Sequence, residues 1–181
     1  MVYTEDKEKA YSYYLKAEEN YELCKKILKK DKYETNYLML HRNITSLHYQ
    51  ALKKLDDINI LNKIFDSSNI LLKDDTIEKN TRLYLDTNKI LVNALMFVID
   101  NYEFLDLDLK IQMIKDAISG YEIALGFEEL SINEKVKILV DLASLNRILF
   151  DELGLKIYEE KYKNYCLQIE NILNTNPEIL L

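Results

Sequence analysis

The stretch Ser131-Ile132-Asn133-Glu134-Lys135-Val136-Lys137-Ile138-Leu139-Val140-Asp141-Leu142-Ala143-Ser144-Leu145-Asn146-Arg147-Ile148-Leu149-Phe150-Asp151-Glu152-Leu153-Gly154 decides the fold. It opens on Ser with Glu three residues later, the reciprocal capping pair that starts a helix. It closes on Gly, which accepts the left-handed conformation just past a helix end. Between the two signals, Val136, Ile138, Leu139, Val140, Leu142, Ala143, Leu145, Ile148, Leu149 and Phe150 recur with no breaker. Little polar face is left, so this helix is expected to be buried on several sides. The rest of the chain repeats the pattern. Only three Gly and one Pro occur in 181 residues, where average usage is about 7% and 5%.

Working outward, the same reading gives seven helices joined by short polar turns. The first covers about 5–29, with Tyr14, Ala17, Tyr21, Cys24 and Leu28 as its apolar stripe. Asp31-Lys32-Tyr33-Glu34 reads as a turn and capping box into a second helix, about 33–55. Its stripe is Tyr37, Leu40, Ile44, Leu47, Ala51 and Leu55. A third helix over 58–72 is expected to fray early at Asp66-Ser67-Ser68-Asn69, which holds weak helix formers. Asp75 with Glu78 is a capping pair for a fourth helix, about 76–102. A fifth runs over 107–125 with Gly126 as its left-handed stop, the sixth over 132–153, and the seventh over 155–174. The expected architecture is all-α: antiparallel helical hairpins stacked into a superhelix or closed into a bundle. One domain spans 1–176, and 177–181 form a short tail.

Composition bounds the function classes. A chain this long buries roughly 70% of its unfolded surface and needs no disulfide or metal to fold. The formal charge is −7, and lysines are interleaved with acids, which argues against nucleic acid as the partner. Lys25-Lys26 and Lys29-Lys30 lie at a helix C-terminus, where cations favour the dipole. Cys24 and Cys166 share no metal-like spacing and are expected as small core residues. The amino end has no apolar leader, and no apolar run reaches the roughly 18 residues of a membrane span. The expected setting is cytoplasmic, without membrane contact.

Few residues carry chemistry. His41 and His48 are the only histidines, two helical turns or about 10 Å apart, too far to share one metal ion. No metal and no cofactor is expected. Of the paired carboxylates, such as Glu18-Glu19, Asp56-Asp57 and Glu128-Glu129, most flank helix ends, where they cap or are solvated. No Glu-x-x-His pair for a di-iron bundle, phosphate-binding glycine loop or hydrolase elbow is present. Tyrosine is the conspicuous residue: 14 in all and eight in the first 50. Tyr11, Tyr13 and Tyr14 point in different directions on one helix, so some face the surface, where tyrosine marks interfaces. Tyr11, Tyr13, Tyr37 and Tyr49 are the candidate partner-binding residues.

Two resemblances follow from particular segments. Leu139-Val140-Asp141-Leu142-Ala143-Ser144-Leu145 through Phe150-Asp151-Glu152-Leu153-Gly154, followed by Tyr158-Glu159-Glu160-Lys161-Tyr162, resembles tetratricopeptide-type helical repeats. Ala143 would take the small residue's place where two helices approach, and Tyr162 would pack in the second helix. That resemblance implies a scaffold presenting a concave surface to a peptide or protein. Tyr14-Leu15-Lys16-Ala17-Glu18-Glu19, Ile27-Leu28, Tyr33 and Ala51-Leu52-Lys53-Lys54-Leu55 are similar to the opening hairpin of HEPN helical bundles. Many HEPN proteins are RNases with Arg and His a few residues apart. Arg42-Asn43-Ile44-Thr45-Ser46-Leu47-His48 has that spacing, and implies Arg42 and His48 as a catalytic pair in an RNA-cleaving or toxin–antitoxin component.

The preferred expectation is a non-enzymatic adaptor or scaffold that binds a protein or peptide in an interhelical groove, with tyrosines as anchors. The rival is the HEPN-like nuclease. A structural subunit of a larger assembly, or a homodimer, is also compatible with the tyrosine-rich amino end.

Overall fold

The computed structural model describes residues 2–73, 81–102 and 106–178. Among the described residues there are seven helices and no strand: α1 (Val2–Ile27), α2 (Lys30–Leu55), α3 (Ile60–Leu72), α4 (Thr81–Asn101), α5 (Leu107–Leu125), α6 (Ile132–Leu153) and α7 (Lys156–Thr175). The all-α class read from the sequence is the class found. The chain forms two compact units, Met1–Glu103 and Phe104–Leu181.

In the first unit α2 is the hub. It packs on α1, α3 and α4, and α3 also packs on α4. Side-chain pairs give the direction of each packing. Lys7 reaches the Leu55 carbonyl while Glu18 reaches His48, so α1 runs antiparallel to α2. His48 meets Lys63 while Thr45 meets Ser67, so α3 does too. The core lies between these helices, with Leu38, Leu52, Ile64, Val92, Leu95 and Val98 fully buried.

In the second unit α6 lies against both α5 and α7. Lys110 pairs with Glu152 and Tyr121 with Asp141, which again makes α5 and α6 antiparallel. Val136, Leu142, Leu145 and Leu149 fill the interior. The Tyr121 hydroxyl donates to Asp141 at 2.8 Å, and burial beside that carboxylate raises the phenol pKa. Tyr165 donates to Glu122 across to α5 at 2.9 Å. Tyr162 is half-buried, with the Arg147 guanidinium over its ring at 5.6 Å.

The sixth helix keeps the boundaries read from sequence. Ser131 and Glu134 form both halves of the capping box, and Gly154 closes the helix at φ 65, a conformation that glycine adopts without strain. Elsewhere local expectations fail for identifiable reasons. The turn at 31–34 is a kink: Lys29 caps α2 without a side-chain bond, and Tyr33 sits at φ −138, ψ 49 within the helix. Gly126 is right-handed at φ −73, because its N–H bonds the Ile123 and Ala124 carbonyls in a tight final turn. The third helix does not fray at 66–69. Ser67 and Ser68 are buried and return their hydroxyls to carbonyls one turn back, which satisfies them inside the helix. The Asp75–Glu78 capping pair lies outside the described residues.

The two cysteines are not core residues. Cys24 is exposed and Cys166 half-buried. At about 100° per residue, Cys24 sits about 80° around α1 from Tyr14, beyond the strip that α2 covers. Among the described residues, no helix is long and apolar enough to cross a membrane.

Candidate functional site

The sequence reading of α2 has Leu40, Ile44 and Ala51 on the buried face, as they are, but misses His41, Thr45, His48 and Leu52. His41, Ile44, Thr45, His48 and Leu52 are all buried, and they step by three and four along one face. Tyr37, Leu47 and Leu55, expected on the stripe, are only half-buried. The buried face therefore carries two histidines and a threonine, and these face α1 and α3.

At its centre is a polar network that joins three helices. Glu18 of α1 accepts from the Tyr14 hydroxyl at 2.8 Å and from Lys63 Nζ of α3 at 2.8 and 3.0 Å. His48 Nδ1 lies 3.1 Å from the Lys63 carbonyl. A carbonyl only accepts, so Nδ1 carries the ring proton. Nε2 faces Glu18 Oε1 at 3.1 Å, and donates to it only when the ring takes up a second proton. Lys63 Nζ also lies 3.2 Å from the Tyr14 oxygen, and the Tyr14 ring meets His48 edge-on at 6.1 Å.

Each member titrates away from its ordinary value. Burial, then the bond to Glu18, pushes the Tyr14 phenol up to about 12. Burial raises the Glu18 pKa, but the bonds from Lys63 and Tyr14 outweigh it and leave the carboxyl below its usual range. Burial lowers the Lys63 pKa, but the bonds to Glu18 and Tyr14 outweigh it and hold the ammonium above its usual value. Burial pushes His48 down, and Glu18 and the Lys63 carbonyl pull it only part of the way back.

His41 is different. It is 2% exposed, and neither ring nitrogen has a hydrogen-bond partner. Its ring packs edge-on to Tyr37 at 4.5 Å. Burial, then the nearby Lys25 charge, brings its pKa down to about 4, so the ring is neutral at pH 7. His41, His48, Glu18, Lys63 and Ser67 line one side-chain cleft of about 260 Å³ between α1, α2 and α3.

Arg42 is not in that cleft. It is half-exposed and lies 3.7 Å from Asp86 of α4, whereas His48 bonds to α1 and α3. The six-residue spacing puts the two on different faces of α2, each held by different helices. Among the described residues, no group of three or more His, Cys, Asp or Glu side chains could hold a metal ion.

The tyrosine candidates also separate. Tyr11 and Tyr13 are exposed, Tyr13 by 61%, but they lie about 160° apart around α1. Tyr37 is half-buried against His41, and Tyr49 is half-buried with Lys53 Nζ 5.4 Å from its ring centroid.

Sequence reasoning named Tyr11 and Tyr13 on α1 but not the row of leucines and acids on its outer face. Tyr14 is the only side chain buried over residues 6–27. Leu15, Glu18, Glu19, Glu22, Leu23 and Lys26 line a shallow depression of about 520 Å³. These positions fall at i, i+3, i+4, i+7, i+8 and i+11, one continuous strip of helix surface, and Tyr11 extends it by a turn. Ile27, 72% exposed, flanks Leu23. Helix α1 thus has apolar residues on two sides and buries only one of them.

Compared with protein-family models, curated proteins and solved structures, the chain matches none.

Proposed function

We propose that this chain is a non-enzymatic protein-binding module whose α1 outer strip docks a basic amphipathic segment of a partner protein. The observation that supports this reading is the row Tyr11, Leu15 and Leu23, exposed at helical spacing on one helix. Single exposed apolar residues are ordinary, but a row at this spacing suits the i, i+3, i+4, i+7 anchors of a partner helix. Glu19 and Glu22 border the row, with Lys26 at its far end. An acidic border selects a partner that places Lys or Arg beside its apolar anchors. The chain's net charge of −7 adds long-range attraction of the same sign. Tyr11, half-exposed beside Tyr14 at 6.4 Å, is the aromatic anchor.

The test uses two designed helical peptides with the same leucine face, one flanked by Lys and Arg and the other by Glu, with binding followed by fluorescence anisotropy. The basic peptide is expected to bind at least about tenfold tighter, and the gap to narrow as salt rises. Leu15→Glu with Leu23→Glu should weaken it by about tenfold or more. These side chains are exposed, so the fold survives the change. Equal binding of the two peptides, or binding unaffected by the double substitution, would contradict the reading. The notion of an RNA-cleaving pair gains no support from the placement of Arg42 and His48, whose side chains are held by different helices.

A further inference from the structure

The turn between α1 and α2 carries a surface separate from the α1 outer strip. Lys25, Lys26, Lys29, Lys30 and Lys32 fall within eight residues, and Asp31 is the single acid among them. The helix dipole accounts for only part of this run. Lys25 and Lys26 lie in the last turn of α1, where cations are favoured. The sequence reading puts Lys29-Lys30 at a helix C-terminus too, but the structure puts them at the start of α2. Lys29 is its N-cap, with no side-chain capping bond, and Lys30 and Lys32 lie in its first turn. Cations there oppose the dipole. Helix stability therefore does not explain these three lysines.

The apolar part of the turn is equally unexplained by packing. Ile27, the last residue of α1, is 72% exposed, more than any other large apolar side chain among the described residues. Only Leu28 and Lys29 separate it from α2. Tyr33 is exposed as well, and Lys32 Nζ lies 5.4 Å from its ring centroid. An aliphatic and an aromatic side chain thus sit among ammonium groups at the end of a helical hairpin.

That combination defines what fits. A run of ammonium groups calls for a surface dense in negative charge. An exposed Ile among them calls for an apolar layer just beneath that charge. An anionic lipid surface has both: its headgroups attract lysines, and apolar and aromatic side chains enter at headgroup level. A nucleic acid has the charge but is held by stacking bases on aromatic rings, and gives Ile27 nothing to enter. The chain's net charge of −7 does not oppose the contact strongly, because acids more than about 8 Å away are screened at physiological salt.

We propose that the α1–α2 turn rests on an anionic lipid surface, with Lys29, Lys30 and Lys32 against the headgroups and Ile27 dipping beneath them. The contact stays at the surface, since no described helix is long and apolar enough to cross a membrane. The sequence reading expects no membrane contact because it weighs apolar runs, and a charged turn with one exposed apolar residue leaves no such run.

The test is co-sedimentation of the full chain with vesicles of phosphatidylcholine alone, or of phosphatidylcholine and phosphatidylserine in equal parts. Binding is expected only to the anionic vesicles, and should weaken as salt rises. Lys29→Ala with Lys32→Ala should lower the partition coefficient about twentyfold, at roughly fivefold per lysine. Ile27→Ser should lower it about fivefold and leave the salt dependence unchanged. All three side chains are exposed, so the fold survives these changes. Absence of binding to the anionic vesicles, equal binding to both compositions, or binding unchanged in both variants would overturn the proposal. So would capture of a uridine oligonucleotide at lower protein concentration than the anionic vesicles, which would assign the lysines to nucleic acid. The lysine variant should still bind the basic peptide, so this test and the peptide test fail independently.

Discussion

Replacing His41 with Phe is expected to remove about 3 kcal/mol of acid sensitivity from the first unit. In the native fold His41 titrates near 4, against about 6.5 when unfolded. The unfolded chain therefore binds the extra proton first. Stability is fully present above about pH 6.5 and falls as the pH drops toward 4. Each pKa unit is worth about 1.36 kcal/mol, which sets the size of the loss over that window. The charges nearest the ring, Lys25 and Glu22 of α1, act in opposite directions on it, and burial is the larger cause. His48 and Glu18 also destabilise the fold in acid, since both pKa values are lowered, but they remain in the variant and cancel in the difference. Urea denaturation of wild type and His41→Phe across this range checks the claim. The two curves should converge as pH rises from 4, with the wild type gaining on the variant. Phenylalanine has no ring nitrogens to leave unbonded, so at neutral pH the variant should equal or exceed wild type. Parallel curves would mean that His41 titrates normally in the fold.

Glu18→Ala should cost about 2–3 kcal/mol at neutral pH, measured by the same denaturation. One carboxylate accepts from Tyr14 and Lys63 and faces His48 Nε2. Its removal leaves the hydroxyl of Tyr14, a residue only 5% exposed, with a proton and no acceptor. Lys63 loses its counter-charge but can turn to water, so its share is small. Tyr14→Phe on the Glu18→Ala background should recover part of the loss, because it removes the stranded donor. A cost below about 0.5 kcal/mol would show that the network does not join the three helices energetically.

The helices were legible where local chemistry alone decides them. The Ser131–Glu134 capping box and Gly154 fixed α6 to the residue, because both signals act within one turn. The candidate cleft was not legible. A hydropathy stripe on α2 selects Tyr37, Leu47 and Leu55, but burial selects His41, Thr45 and His48. Those polar residues are inside because Glu18, Ser67 and the Lys63 carbonyl arrive from α1 and α3 to meet two of them. Partners so far apart in sequence leave no local trace. The available signal was the spacing itself: positions 41, 44, 45, 48 and 52 form an unbroken helical face once polar residues are admitted to it. Cys24 failed in the opposite way. It is apolar and nearly in phase, but α1 meets α2 along a narrow line and the flank stays open.

The outer strip of α1 carries the functional reading, and a residue-level footprint tests it most directly. Isotope-labelled protein would be titrated with the basic amphipathic peptide and followed by amide chemical shifts. The account predicts perturbations centred on Tyr11, Leu15, Glu19, Glu22, Leu23 and Lys26, with α6 and α7 unmoved. Perturbations centred on α6 and α7, or spread evenly over the acidic surface, would contradict it.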